Sequence, residues 1–458
     1  MKTLHLIAAV ALTIWLAACA APALPTPIGA TAPPQWYGTL AHDGMLVDPT
    51  RWWQQFDDPL LVQLIESAQT ASPTVETARS RIGQARAAGA AARAALLPTL
   101  DAQTSASRGN SQPPAPLATT VQAGLQAGWE ADLFGGNRDA LQAAQSRLAG
   151  ANAGWHDARV SVAAETAVSY LNLRTCERQL DVASRDATSR GETSRLAELT
   201  ARAGFTAPAS AAEGSAKATQ QRAQCDLDVK ALVALSAVAE PELRRQLATP
   251  WQDPGPVLPT VVSLPARLLA QRPDVYQAER EVAAASADIG SAQAQRYPRL
   301  SLTGTLGAGI VRIGGENTAL QTWSIGPLAL TFPLFDGGRR AANVDAARAR
   351  YEEAAALYAS RVRQAVREVE EALVKLESAR LRMEDARTAA EGFRLFFSAT
   401  EARYRSGLGS LVELEDARRT ALAAETALVD LQRERVATWI TLYRAIGGGW
   451  ARPDASSA

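Results

Sequence analysis

The sequence predicts a mainly α-helical chain with a β part, built from a duplicated unit of four β-strands and long antiparallel coiled-coil helices. Three copies of the chain are expected to complete one transmembrane barrel. Leu133-Phe134-Gly135-Gly136-Asn137-Arg138 and Leu334-Phe335-Asp336-Gly337-Gly338-Arg339 each close a strand-like run and open a very long helix. The two copies stay in step upstream: Pro98 and Pro298 are 200 apart (298 minus 98), and Phe134 and Phe335 are 201 apart (335 minus 134). Constant spacing of this kind marks an internal repeat. After the N-terminal segment, no apolar stretch reaches the roughly 18 residues that a membrane-spanning helix needs, so a chain that crosses a membrane must use strands.

The chain opens with a basic Met1-Lys2 and an apolar Leu4 to Leu16, too short to span a bilayer and read as an export signal over 1–18. It ends in Leu16-Ala17-Ala18-Cys19, which resembles a bacterial lipobox and implies that Cys19 is the acylated N-terminus of the mature chain; an ordinary signal peptide with an incidental cysteine is the other reading. Ala20 follows, where lipoproteins kept at the inner membrane usually carry Asp, and this points to the outer membrane. Residues 19–58 read as an acylated tether, 59–250 as the first repeat, 251–272 as a linker, 273–450 as the second repeat and 451–458 as a flexible C-terminus.

Val121, Ala123, Leu125, Ala127, Trp129, Ala131 and Leu133 alternate with Gln122, Gly124, Gln126, Gly128, Glu130 and Asp132, which predicts a strand over about 121–134. One greasy and one wet face suit a barrel strand, although a half-buried strand of a soluble sheet reads the same way. Further strands are expected near 99–108, 300–311 and 323–335, the last with its apolar register slipping around Pro327 as at a bulge or an interrupted ladder. Four strands cannot close a barrel, and open edges are not tolerated in lipid. Two copies would give a barrel filled by its own side chains, whereas three give twelve strands and room for a pore.

Residues 137–202 and 339–404 are almost free of Pro and Gly, and each would extend on the order of 100 Å as a helix. Val366, Val369, Leu373 and Leu376 recur at coiled-coil spacing with charged residues between them, and interior positions are rich in alanine. Arg202-Ala203-Gly204 and Arg405-Ser406-Gly407 interrupt the two copies at comparable points, with Pro208 and Ser410 placed to start the returning helices.

Lysine plus arginine equals aspartate plus glutamate at 47 each, and no basic run is interleaved with aromatics, so a nucleic-acid partner is not expected. Cys176 and Cys225 lie on opposite arms of the first long hairpin in an oxidising compartment, where a disulfide can form. Simple pairing about a turn near residue 205 places Cys176 opposite residue 234, so the bond requires a displaced turn or an irregular helix; two buried thiols are the other reading. His5, His42 and His156 are scattered, and neither a metal site nor a cofactor site is expected. There is no nucleotide-binding glycine loop and no nucleophile elbow, so no enzyme is expected.

Trp52-Trp53-Gln54-Gln55-Phe56-Asp57-Asp58-Pro59-Leu60, Gln271-Arg272-Pro273-Asp274-Val275, Tyr297-Pro298-Arg299-Leu300-Ser301-Leu302 and Leu442-Tyr443-Arg444-Ala445-Ile446-Gly447-Gly448-Gly449-Trp450 together resemble the TolC-like outer-membrane efflux proteins, lipoprotein branch. The resemblance implies a trimeric outer-membrane barrel continued by a periplasmic helical tunnel. It also implies a periplasmic adaptor and an inner-membrane resistance-nodulation-division transporter as partners, with the chain serving as a passive exit duct for small molecules. By position, Tyr404, Glu413 and Asp416 match the family's periplasmic gate, with the two carboxylates ringing the mouth in a trimer. A solvated helix face is the other reading, since Glu413, Glu415 and Asp416 sit among Arg418 and Arg419. Gly409 stands where some members carry a gate-locking arginine, which puts that lock in doubt. Arg202 and Gly204, with Arg405, Gly407 and Ser410, resemble the adaptor-contact tips. The outer component of a type I protein-secretion system and a non-conducting envelope scaffold are the alternative readings.

Overall fold

A computed structural model describes residues 58–110, 117–200, 208–249, 272–450 and 452. Cys19, Arg202 and Gly204 lie outside the described residues, as do the expected signal, almost all of the tether and linker, and all of the expected flexible C-terminus except Arg452. The helices are α1 (Pro59–Ala71), α2 (Pro73–Ala94), α3 (Gly136–Thr200), α4 (Pro208–Ser236), α5 (Glu240–Leu247), α6 (Pro273–Ala294), α7 (Arg339–Arg405) and α8 (Leu411–Ala445). The strands are β1 (Thr99–Gly109), β2 (Ala118–Ala131), β3 (Arg299–Ile313) and β4 (Glu316–Thr331), paired antiparallel in the order β1-β2-β3-β4. The two long helices run for 65 and 67 residues. The described residues divide into two compact units, one of 81–152 with 277–359 and one of 58–80, 153–276 and 360–452 so far as these are described.

In the first unit each repeat contributes one hairpin, and the seam between repeats is the β2·β3 ladder, where Val121 faces Ile310 and Leu125 faces Leu306. Directly opposed residues share a face. Following the register, one face carries Ala106, Val121, Ile310 and Ala319, then Ala102, Leu125, Leu306 and Trp323, and further on Trp129, Leu302 and Leu328. This face is exposed on the single chain, with Trp323 at 75% and Ile325 at 82%. The other face carries Asp101, Gln103, Gln122, Gln126, Glu130 and Thr305.

The slip anticipated at Pro327 is a bulge: Leu302 pairs with Leu328 but Gly304 with Ile325, so Gly326 and Pro327 together oppose Thr303. The extra residue returns both Ile325 and Leu328 to the apolar face. Strand limits differ from the expected ones for identifiable reasons. β2 ends at Ala131 rather than 134 because Asp132 turns away to cap α3, accepting from the Asn137 N–H at 3.1 Å and the Arg138 N–H at 3.0 Å. β4 begins at Glu316 rather than near 323, because Gly314 and Gly315 adopt φ of 58° and 97° and make a two-residue hairpin. It stops at Thr331 rather than 335, ahead of Pro333, which has no N–H for a ladder.

The second long helix is capped by an analogous aspartate, Asp336, which accepts from Gly338 N at 3.0 Å and Arg340 N at 3.1 Å. Those backbone bonds hold its carboxyl below the ordinary aspartate value. The duplicated motifs meet where Phe134 stacks on Tyr297 with centroids 4.7 Å apart. Small residues let the helices of this unit approach closely: Ala143, Ala284 and Ala287 form a buried cluster, and a Cβ on Gly136 would lie 2.8 Å from that of Ala294.

In the second unit, Leu61, Leu64 and Ile65 of α1 pack with Leu171, Leu173, Leu232, Leu243, Trp439 and Ile440. Along α7 the buried residues Val362, Ala365, Val369, Ala372, Ala379 and Met383, with half-buried Leu376 between them, alternate steps of three and four. That is a coiled-coil seam. Val369, Leu373 and Leu376 of the expected set fall on or beside it, and Val366 lies at its margin.

Candidate tunnel mouth

The α7–α8 turn is closed by two local motifs. Gly407, at φ 75°, donates to Tyr404 O at 3.0 Å, and Leu408 N donates to Arg403 O at 2.9 Å. This is a Schellman end, in which the left-handed residue lets the last carbonyls find donors. Ser410 then caps α8: its Oγ accepts from Glu413 N at 3.1 Å, and Glu413 Oε2 accepts from Ser410 N at 3.1 Å. Glu413 therefore has a helix-starting role in addition to its charge.

Tyr404 is half-buried, while Glu413 and Asp416 are exposed. Asp416 pairs with Arg419. Arg405 pairs with Glu401 at 3.2 Å and reaches Glu192 of α3 at 3.8 Å. A Cβ on Gly409 would lie 3.2 Å from Tyr404 N, so the turn closes tightly where a larger residue would press on the helix end. Leu408 and Val412 are exposed at the turn.

One turn further along α8 the solvated-face reading fails for Arg418, which is only 2% exposed. Arg418 donates to Ser189 Oγ at 3.0 Å and Thr193 Oγ1 at 2.8 Å, pairs with Glu415, and lies 4.0 Å from Asp186. Arg190 binds Asp186 at 3.0 Å, Glu415 at 3.1 Å and Ser210 at 2.8 Å. This buried cluster fastens α3, α4 and α8 together. Its residues escape sequence reasoning because Asp186/Arg190 and Glu415/Arg418 look like ordinary surface pairs at helical spacing.

Deeper in the same hairpin, Cys176 and Cys225 form a disulfide with Cα atoms 5.5 Å apart. The pairing register between the two arms is displaced, since Cys176 meets Cys225, Arg190 meets Ser210 and Gly214 packs on Ala187, so that opposed positions are centred near residue 200 rather than 205.

The Outer membrane efflux protein family model matches residues 64–237 and 264–448. The Pyoverdine export outer membrane protein OpmQ of Pseudomonas aeruginosa is 30% identical over 98% of this chain and 97% of its own length. Outer membrane protein OprJ of the same organism is 30% identical over 97% and 96%. The solved structure of the outer-membrane channel OprN superposes with a TM-score of 0.81 at 28% identity, covering 94% of this chain and 99% of that one. With both repeats matched and a channel fold shared nearly end to end, the chain belongs to the outer membrane efflux protein family and is an outer-membrane efflux channel.

Proposed function

We propose that three copies of the chain close one twelve-stranded barrel, continued by a periplasmic helical tunnel, and serve as the exit duct of a tripartite pump. The observation that carries this reading is the sheet. One face is apolar and exposed, and β1 and β4 are edges with unpaired backbone, which lipid does not tolerate. Among the described residues no helix is long and apolar enough to cross a membrane.

In this reading residues 1–18 are removed, Cys19 carries the lipid and 19–58 form the tether, while 251–272 link the repeats 59–250 and 273–450. Tyr404, Glu413 and Asp416 form the periplasmic gate, where three copies of each carboxylate favour cations over anions. The tips around Arg202 and Gly204, and around Arg405, Gly407 and Ser410, dock a periplasmic adaptor fed by an inner-membrane resistance-nodulation-division transporter. Arginine is suited to that role by its multidentate donors, and glycine by permitting close approach.

Cysteines placed one on β1 and one on β4 test the closure. Oxidation of the membrane-inserted protein is expected to yield covalent trimers and nothing larger; ladders without an end, or a stop at two copies, would refute it.

A further inference from the structure

We propose that Arg108 of β1 and Arg312 of β3 form a binding site for the phosphate headgroups of the outer leaflet. The inference rests on the reading that the apolar face of the sheet meets lipid. Arg108 pairs with Thr119, and Thr119 pairs with Arg312, so both arginines fall in one row on that apolar face. Asn317 completes the row. No strand residue described on this face is a carboxylate, whereas Asp101, Glu130 and Glu316 all fall on the opposite one. The two guanidiniums are thus the charged groups of an otherwise uncharged surface, and neither has a hydrogen-bond or ion-pair partner among the described residues.

Their height on the barrel is what a headgroup site requires. From Ile310 to Leu300 the face is apolar along β2 and β3, with Thr104 of β1 and Gln321 of β4 as the polar residues within it, and these ten steps run about 33 Å along the strand. At barrel tilt this is about 25 Å, the height of an outward-facing apolar band. The arginine row stands one row beyond that band. It stands at the turn end of the sheet, beside Gly314-Gly315, while α2, α3, α6 and α7 join at the other end. With the helices in the periplasm, the turn end faces the cell exterior, and the row sits at the outer-leaflet interface.

An arginine there keeps its stem along apolar surface and its head among phosphates. Its planar fork binds phosphate through two parallel N–H donors, which a point charge cannot do. Arg108 and Arg312 are separated by one intervening strand, about 10 Å, so they engage two phosphates and not one. The outer leaflet of a Gram-negative outer membrane is a phosphorylated glycolipid, which matches both the charge and the spacing.

The full-length protein in neutral-detergent micelles is titrated with a fluorescent lipid A bearing two phosphates, and with the same lipid after its phosphates are removed. Arg108→Ala and Arg312→Ala are each expected to weaken binding of the phosphorylated lipid about fivefold, and the double variant about thirtyfold, at about 1 kcal/mol per basic residue. Binding of the dephosphorylated lipid is expected to be weak and equal for all variants, and Arg→Lys at both positions to retain part of the difference. Equal binding of the phosphorylated lipid by the wild type and the double alanine variant would overturn the site. Brominated-acyl quenching of the fluorescence lost in Trp323→Phe separates the two ways of failing. Quenching with equal binding overturns the arginine site alone, and absence of quenching overturns the lipid-facing reading beneath it.

Discussion

Arg190 of α3 and Glu415 of α8 lie 3.1 Å apart, and through them the two helical hairpins of the second unit are joined by a buried charge cluster rather than by apolar packing alone. Asp186 and Arg418 complete it at 6% and 2% exposure. Removing one partner from such a cluster leaves an uncompensated buried charge, typically at a cost of about 3–5 kcal/mol. Arg418→Ala is therefore expected to lower the thermal unfolding midpoint strongly, and Arg419→Ala, whose partner Asp416 is exposed, to leave it nearly unchanged. Calorimetry of the two variants side by side reads the difference.

The disulfide closes a loop with a sequence separation of 49. In the chain-entropy account a loop of that size contributes about 4 kcal/mol, less any strain or residual structure. Cys176→Ser together with Cys225→Ser is expected to lower the unfolding midpoint, and reductant to lower that of the wild type but not of the double variant.

Burial, and then the neighbouring carboxylate of Asp274, pushes Asp157 above the ordinary 3.8 despite Arg444, Arg272 and Arg361 nearby. Asp274 is half-buried, which alone would raise it, but Arg272 donating at 2.9 Å holds it below that value. Linkage gives the two opposite signs. The contribution of Asp157 is full below about pH 3.8 and is lost as pH rises through its raised value; that of Asp274 is present above about pH 3.8 and is lost as pH falls through its lowered value. Asp157→Asn should raise the unfolding midpoint at pH 7 and flatten the decline from about pH 4 upward, whereas Asp274→Asn should lower the midpoint at pH 7. Melting curves across that range distinguish them.

At the seam between repeats, a Cβ on Gly309 would lie 2.5 Å from Val121 O and one on Gly124 2.7 Å from Leu306 O. A backbone oxygen cannot be pushed aside as a flexible side chain can, so a heat-sensitive trimer band is expected on gels for the wild type and its loss for Gly309→Val. Gly128→Ala, whose new atom would rest 3.5 Å from Thr99 Oγ1, should leave that band intact.

Much of this architecture was legible in the residues. Alternation from Val121 to Trp129 located β2, and the slip at Pro327 located the bulge, because both are local patterns of period two. The long helices were bounded within two residues by their glycine-rich ends. The Gly314-Gly315 hairpin was missed because polar Glu316, Asn317 and Thr318 read as loop, although paired glycines are themselves a turn signal. At the α7–α8 turn, Ser410 and Glu413 spell a capping box; Ser410 reads as a helix start, but resemblance by position divides the pair between the adaptor-contact tips and the gate. The Asp186–Arg190–Glu415–Arg418 cluster was invisible, since burial depends on which helix faces pack together, and spacing within one helix does not report that.

Single-channel current through the purified protein in a planar bilayer reads out whether a trimer conducts and whether its mouth is acidic. Glu413→Gln with Asp416→Asn is the informative variant, because glutamine preserves the capping box while the charge is removed. A measurable cation-preferring current is expected in the wild type and a clearly weaker cation preference in the double variant. A protein that inserts but carries no current would contradict the channel, and an unaltered preference in the double variant would return both carboxylates to a solvated helix face.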